Sequence, residues 1–188
     1  MPGLPVVYMQ LFKALFRYFV CMKQLSILLG LLVITVSNVV AQNGSAKQSP
    51  YQQFPDNPPL NILLVDSVTT FTKDKFKKNK PVFLILFSPD CDHCKHETED
   101  IIRNIDKLKD VHIVMATSQP FEKMKEFYKH YKLEQYKNIT VGRDRQYMLI
   151  SYFDISSLPM IAIYDKKHKL IKRHEGTMTV ADMLTYIK

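Results

Sequence analysis

The apolar residues of this chain fall into short runs, and the spacing within and between the runs separates strands from helices. Asn61 to Val65, Val82 to Phe87, Val111 to Ala116 and Met160 to Tyr164 are nearly continuous apolar stretches. Stretches this short, without alternation, predict strands covered on both faces. Over Cys91 to Leu108 the spacing changes. Ile101, Ile102, Ile105 and Leu108 share one side, and Thr98, Glu99, Asp100, Arg103 and Asp106 supply the polar remainder, which predicts a helix. Phe121, Met124, Phe127, Tyr128 and Tyr131 repeat that spacing over Phe121 to Leu133. A short helix is expected over Tyr147 to Phe153. A strand at Leu170 to Lys172 should follow the turn Asp165-Lys166-Lys167-His168, and Thr179 to Ile187 should close the chain as a helix. Strand, helix, strand, helix, hairpin and helix describe an α/β protein with a central mixed sheet flanked by helices. No internal repeat is visible.

Composition narrows the class. At 188 residues, 46% hydrophobic and 23% charged, the chain can bury one ordinary core and is too short for two full domains. The net charge of +8 hints at nucleic acid until it is located. Lys13, Arg17 and Lys23 precede residue 42, where no acidic residue occurs, so the remainder carries a surplus of only five positive charges. The one lysine run (Lys73, Lys75, Lys77, Lys78 and Lys80) contains Asp74 and sits beside Asn79 and Pro81; base stacking or groove entry needs more than lysines, so it reads as a solvated loop and no nucleic-acid partner is expected.

The N-terminal part reads as an address. Residues 22 to 41 open with Lys23, continue with an apolar stretch from Leu25 to Val36, and end in Val39-x-Ala41, the three parts of a secretory signal. The apolar stretch is short for a membrane span, so cleavage after Ala41 is the first reading and a retained anchor the second; in that case alone the chain would touch the membrane. Met22 makes a better start for this signal than Met1, and residues 1 to 41 together are assigned to export. Residues 42 to 59, rich in Gln, Asn, Ser and Pro, read as a linker, and residues 60 to 188 as the domain. A periplasmic or secreted location follows. Asn43-Gly-Ser and Asn138-Ile-Thr match glycosylation acceptors by chance more readily than by function.

Export gives the cysteines a redox context. Beyond Cys21, which precedes Met22, the chain holds Cys91 and Cys94. A bridge between residues three apart closes a tiny loop and stabilises a fold very little, so a structural staple is a poor use for this pair. The segment FLILFSPDCDHCKHE places CxxC where a buried strand meets a helix. A cysteine in the first turn faces unpaired N–H groups and the positive end of the helix dipole, which favour thiolate. Only the thiolate attacks a disulfide. Cys91, nearer the helix end, is therefore the expected nucleophile, and Cys94 the buried resolving thiol. A zinc site built from Cys91, His93, Cys94 and His96 is disfavoured, because four ligands within six residues of one helix start cannot readily surround the metal.

These residues resemble the thioredoxin superfamily, and most closely the exported TlpA-like thiol-disulfide oxidoreductases, over roughly residues 60 to 188. CDHC after an apolar strand, Glu97 three residues beyond Cys94, and Leu158-Pro159 before a strand ending in Asp165 carry the resemblance. It implies a thioredoxin fold and no cofactor or metal. It also implies a cis Pro159 packed on the CxxC pair, a Leu158 whose backbone meets substrate, and a proton role for Glu97 at Cys94. The implied partners are disulfides of exported proteins and, for a reductase, a membrane electron donor. An oxidase or isomerase, or a peptide- or metal-binding module without turnover, remains as the alternative.

The chain departs from the family in three places. Asp90 stands where a tryptophan usually precedes the first cysteine, and Ile85 where thioredoxins carry an aspartate. The residues between the cysteines are Asp92 and His93. A protonated His93 would stabilise the Cys91 thiolate, and Asp90 and Asp92 would oppose it.

Overall fold

The computed structural model describes residues 48 to 187 and, in the N-terminal segment, Leu11, Lys13, Phe16 to Phe19 and Met22. The chain forms two compact units, divided after Lys47. In the first, the described residues are helical. The expected signal at 22 to 41 lies, apart from Met22, outside the described residues. Among the described residues no helix is long and apolar enough to cross a membrane.

The second unit is built on one sheet. Its strands are β1 (Asn61–Leu64), β2 (Thr70–Thr72), β3 (Val82–Leu86), β4 (His112–Thr117), β5 (Ile139–Arg143), β6 (Met160–Tyr164) and β7 (Leu170–Glu175). The helices are α1 (Pro50–Gln53), α2 (Asp92–Arg103), α3 (Phe121–His130), α4 (Met148–Phe153) and α5 (Val180–Thr185). The strand order is β2-β1-β5-β4-β3-β6-β7. β3, β4 and β5 run parallel, while β6 pairs antiparallel with β3 and β7, and β1 pairs antiparallel with β2 and β5. This is the α/β thioredoxin fold with a mixed sheet that the sequence predicts.

Both faces of the sheet are covered, which explains the unbroken apolar runs. Phe83, Ile85, Ile113, Met115, Ile161 and Ile163 belong to one buried cluster, with Ile101 and Met124 of the helices. Their strand neighbours Val82, Leu84, Leu86, Val114, Ala116 and Ala162 belong to the other, with Leu149 and Phe153. The alternation of period two is present, but both registers are apolar.

Several expected boundaries move, each for a local reason. The helix expected over Cys91 to Leu108 ends at Arg103, where Asn104 leaves helical geometry at φ −110° and ψ 19° while its side-chain amide caps the Asp100 carbonyl at 2.9 Å; the chain resumes as a 3₁₀ turn over Ile105–Leu108. The next helix ends at His130 instead of Leu133, followed by Lys132 in the left-handed region at φ 49°. β7 runs to Glu175, past the charged residues that hid its end. β2 and β5 are additional strands, too short or too polar to stand out.

Part of the expected linker is built into the domain. Pro50–Gln53 is helical, the Tyr51 ring lies 6.1 Å from that of Phe153, and Asp56 pairs with Lys169 at 2.7 Å. The lysine run is occupied locally: Lys73 donates to Asn57 Oδ1 at 2.6 Å, Lys77 to the Lys137 carbonyl at 2.8 Å, and Lys80 pairs with Asp110 at 3.4 Å.

Gly142 on β5 sits where a side chain would collide with β1. A Cβ there would lie 2.8 Å from Ile62 Cγ1 and Cδ1, and Ile62 is fully buried and stiff at χ1. Gly142→Ala is therefore expected to cost about 1–3 kcal/mol, the usual range for an overpacked core, and distinctly less in an Ile62→Ala background. Chemical denaturation of the four variants checks this; equal costs in both backgrounds would place the strain elsewhere.

Candidate active site

The site begins where β3 runs out. Phe87 continues the strand by donating its N–H to the Ala116 carbonyl at 3.0 Å, and Ser88-Pro89-Asp90 then turns the chain, with the Cys91 N–H closing on the Ser88 carbonyl at 3.1 Å. Cys91 is the N-cap residue of α2, with extended backbone at φ −88° and ψ 120°, and its carbonyl accepts from the Lys95 N–H at 3.1 Å. The expected asymmetry of the pair follows from one helical turn. Cys91 is half-buried at the rim, whereas Cys94 is 1% exposed, within the apolar cluster that contains Phe83, Ile85 and Phe87. Both are free thiols. Burial, with a hydrogen bond donated by its own S–H to Cys91 acting in the same direction, pushes the Cys94 thiol up to about 12. It holds its proton at neutral pH.

Opposite the first cysteine lies Leu158, joined to Pro159 by a cis peptide bond. The Cys91 S–H donates to the Leu158 carbonyl at 3.7 Å. The structure thus brings Cys91, Cys94, Leu158 and Pro159 together at the end of the sheet where β3 and the start of β6 lie side by side.

Glu97 is the buried carboxylate of the site, at 3% exposure. Its Oε2 accepts the backbone N–H of Met178 at 2.9 Å, and its Oε1 is buried without a partner among the described residues. Burial, reinforced by the charge of Asp100 and opposed by the Met178 bond, raises its carboxyl to about 7. One turn further along α2, Asp100 accepts the Val180 N–H at 3.0 Å. Two carboxylates of α2 therefore anchor the loop after β7 and the first residue of α5, a partnership invisible in the sequence because it joins residues 81 and 80 positions apart. Ile85, the departure from the resemblance noted above, is buried in the core.

The acidic residues around Cys91 do not stand alone. Asp92 pairs with Lys95 at 2.8 Å, and that lysine holds its carboxyl below the ordinary range; Asp90 pairs with Lys123 of α3. The opposition to a Cys91 thiolate expected from two free carboxylates is reduced accordingly. Neither partner was found from the sequence: the three-residue Asp92–Lys95 spacing is a signal that could have found the first, whereas Lys123 lies 33 positions from Asp90. His93 is exposed, and with His96 and Glu97 it lines a cavity of about 710 Å³ on the Glu97 side. A second cavity of about 450 Å³, between Pro89, Lys95, Phe127 and Tyr131, lies on the side of Asp90. Among the described residues no three His, Cys, Asp or Glu side chains gather as a metal-ligand set.

The Redoxin family model matches residues 50–187. The chain belongs to the Redoxin family. The match begins inside the docked segment at α1 and covers every element of the sheet. The exposed lipoprotein thioredoxin of Streptococcus pneumoniae strain TIGR4 is 26% identical, with a TM-score of 0.52 over 66% of this chain and 94% of that one. Lower identities accompany the same fold in two further structures. StoA from Bacillus subtilis is 16% identical, with a TM-score of 0.52 over 67% of this chain and 93% of that one. A secreted Mycobacterium tuberculosis disulfide oxidoreductase homologous to E. coli DsbE is 15% identical, with a TM-score of 0.55 over 68% of this chain and 90% of that one. No curated protein matches. The thioredoxin-superfamily, TlpA-like resemblance of the sequence thus stands with this Redoxin fold.

The raised Glu97 carboxyl gives the Redoxin domain a signed pH dependence. Its folded value near 7 exceeds the ordinary 4.5, so between those values the folded state holds a proton that the unfolded state has lost. Stability should therefore fall as pH rises from about 4.5 to 7. Glu97→Gln mimics the protonated form and should flatten that part of the profile in the reduced protein. Denaturation midpoints across this range check it; identical slopes in both proteins would mean that Glu97 ionises freely.

Proposed function

We propose that the chain is an exported thiol-disulfide oxidoreductase that reduces disulfides of other exported proteins through Cys91 and Cys94. The observation that carries this reading is the unequal pair: a rim thiol at a helix start beside the Leu158 carbonyl, and a buried protonated thiol one turn behind it. Membership of the Redoxin family supports it.

In this mechanism the Cys91 thiolate attacks one sulfur of a substrate disulfide. The substrate S–S bond breaks, a mixed disulfide with Cys91 forms, and the departing substrate thiolate takes a proton. Cys94 must then attack Cys91 Sγ, yet its thiol is held near 12. Glu97, one turn further along α2 and titrating near 7, is the group to take that proton, directly or through a water. The Cys91–Cys94 disulfide forms as the mixed disulfide breaks and the second substrate thiolate leaves. Two electrons have passed from the dithiol to the substrate, and a dithiol donor, in the cell one held in the membrane, restores the pair. Leu158 and Pro159 flank the attacked sulfur and offer backbone groups to the substrate chain, and Asp92 and His93 modulate the potential. The export reading rests on residues 22 to 41 and agrees with the exposed and secreted character of the pneumococcal and mycobacterial proteins.

Insulin reduction driven by dithiothreitol tests the reading. The protein should accelerate it, Cys91→Ser should return it to the uncatalysed rate, and Cys94→Ser should accumulate reductant-sensitive mixed disulfides. Full activity in Cys91→Ser, or equal trapping by both variants, contradicts these assignments.

A further inference from the structure

Strand β7 ends in two charged residues that the chemistry above does not use. Arg173 and Glu175 lie two apart on one strand and so face the same way. They pair with each other, and each side chain is only 19% exposed. The Arg173 guanidinium also donates to the carbonyls of Phe153 and Asp154, both at 3.0 Å, and stacks over the Tyr51 ring at 5.0 Å. The Glu175 carboxylate accepts from the Ser156 N–H at 3.2 Å, the Ser157 N–H at 2.8 Å and the Ser157 hydroxyl at 3.1 Å. Partial burial opposes its ionisation, but these bonds and Arg173 prevail and hold the carboxyl below its ordinary range.

The segment gripped in this way, Phe153 to Ser157, leads directly into Leu158, whose carbonyl meets Cys91. On the far side, Gly176 follows Glu175 and donates its N–H to the Pro159 carbonyl at 2.8 Å. The end of β7 therefore fixes the backbone both before and after Leu158. Charge-assisted hydrogen bonds are about twice as strong as neutral ones, and an exposed loop has few other means of holding one conformation.

We propose that Glu175, steadied by Arg173, is a positioning residue for polypeptide substrates: it holds Ser156 to Leu158 in the conformation that pairs with the chain flanking a target disulfide. This inference rests on the thiol-disulfide reading above. Without the carboxylate the segment would have to be ordered at the moment a polypeptide binds, and that cost falls on substrates that use the Leu158 backbone. A small disulfide, which offers no backbone, needs the thiol pair and its proton acceptor but not the ordered segment.

The test compares insulin with bis(hydroxyethyl) disulfide on the wild-type protein and its variants. In Glu175→Ala, the ratio of kcat/KM for insulin to that for the small disulfide should fall about tenfold, equivalent to ordering one residue on binding. The fall should appear in KM for insulin and leave its kcat within about twofold. Glu175→Gln, which keeps one acceptor oxygen, should recover part of the ratio. Ser157→Ala, which removes only the hydroxyl bond, should lower it about twofold to threefold, and it carries the comparison if Glu175→Ala does not fold. An unchanged ratio in Glu175→Gln and Ser157→Ala, or equal losses on both substrates, overturns the inference while leaving the thiol-disulfide reading intact. A wild-type protein inert toward both disulfides overturns the two together.

Discussion

Cys94 is packed among Phe83, Ile85 and Phe87, and the chemistry of the site depends on that burial. A thiol excluded from water keeps its proton, while its partner three residues earlier stands at the rim beside the Leu158 carbonyl. The strand fixes this inequality. β3 enters the core fully buried, turns at Ser88-Pro89-Asp90, and α2 starts with one cysteine at its cap and the other facing inward. Ile85 lies in the same buried cluster and carries no proton, and the mechanism proposed above gives the Cys94 proton to Glu97. That carboxylate is buried as well, and its value near 7 follows from the same exclusion of water.

The loop after β7 is the second support of the site. The Met178 and Val180 N–H groups bind Glu97 and Asp100 of α2, and Gly176 binds Pro159. One short segment thus connects the helix that carries the cysteines with the turn that faces them. The ion pairs at the rim are of a different kind. Asp90–Lys123 and Asp92–Lys95 are solvent-exposed and add little to stability, but they set the charge around Cys91.

The sheet and the site were legible in the sequence to different depths. The buried strands β3, β4 and β6 declared themselves as apolar runs, and the CxxC pair could be placed at its junction because strand and helix signals meet at Asp90. β5 was hidden because its Gly142 and Arg143 weaken the strand pattern; the glycine is there for Ile62, a reason found only in the packing. Leu158-Pro159 and Glu97 were both singled out through the resemblance, with the spacing of Glu97 from Cys94 in agreement. Met178, Lys123, Arg173 and Glu175 were not found. Each acts across a long sequence separation, on a backbone group or an ion pair that the fold alone brings into range.

The inequality of the two thiols is the central claim, and alkylation of the reduced protein measures it most directly. Iodoacetamide at neutral pH, with each cysteine followed by peptide mass spectrometry, should modify Cys91 faster than Cys94 by on the order of 100-fold or more, because the buried thiol presents almost no thiolate. Cys94 should catch up only when denaturant unfolds the domain. Equal rates in the folded protein, or modification of Cys94 first, would contradict the account.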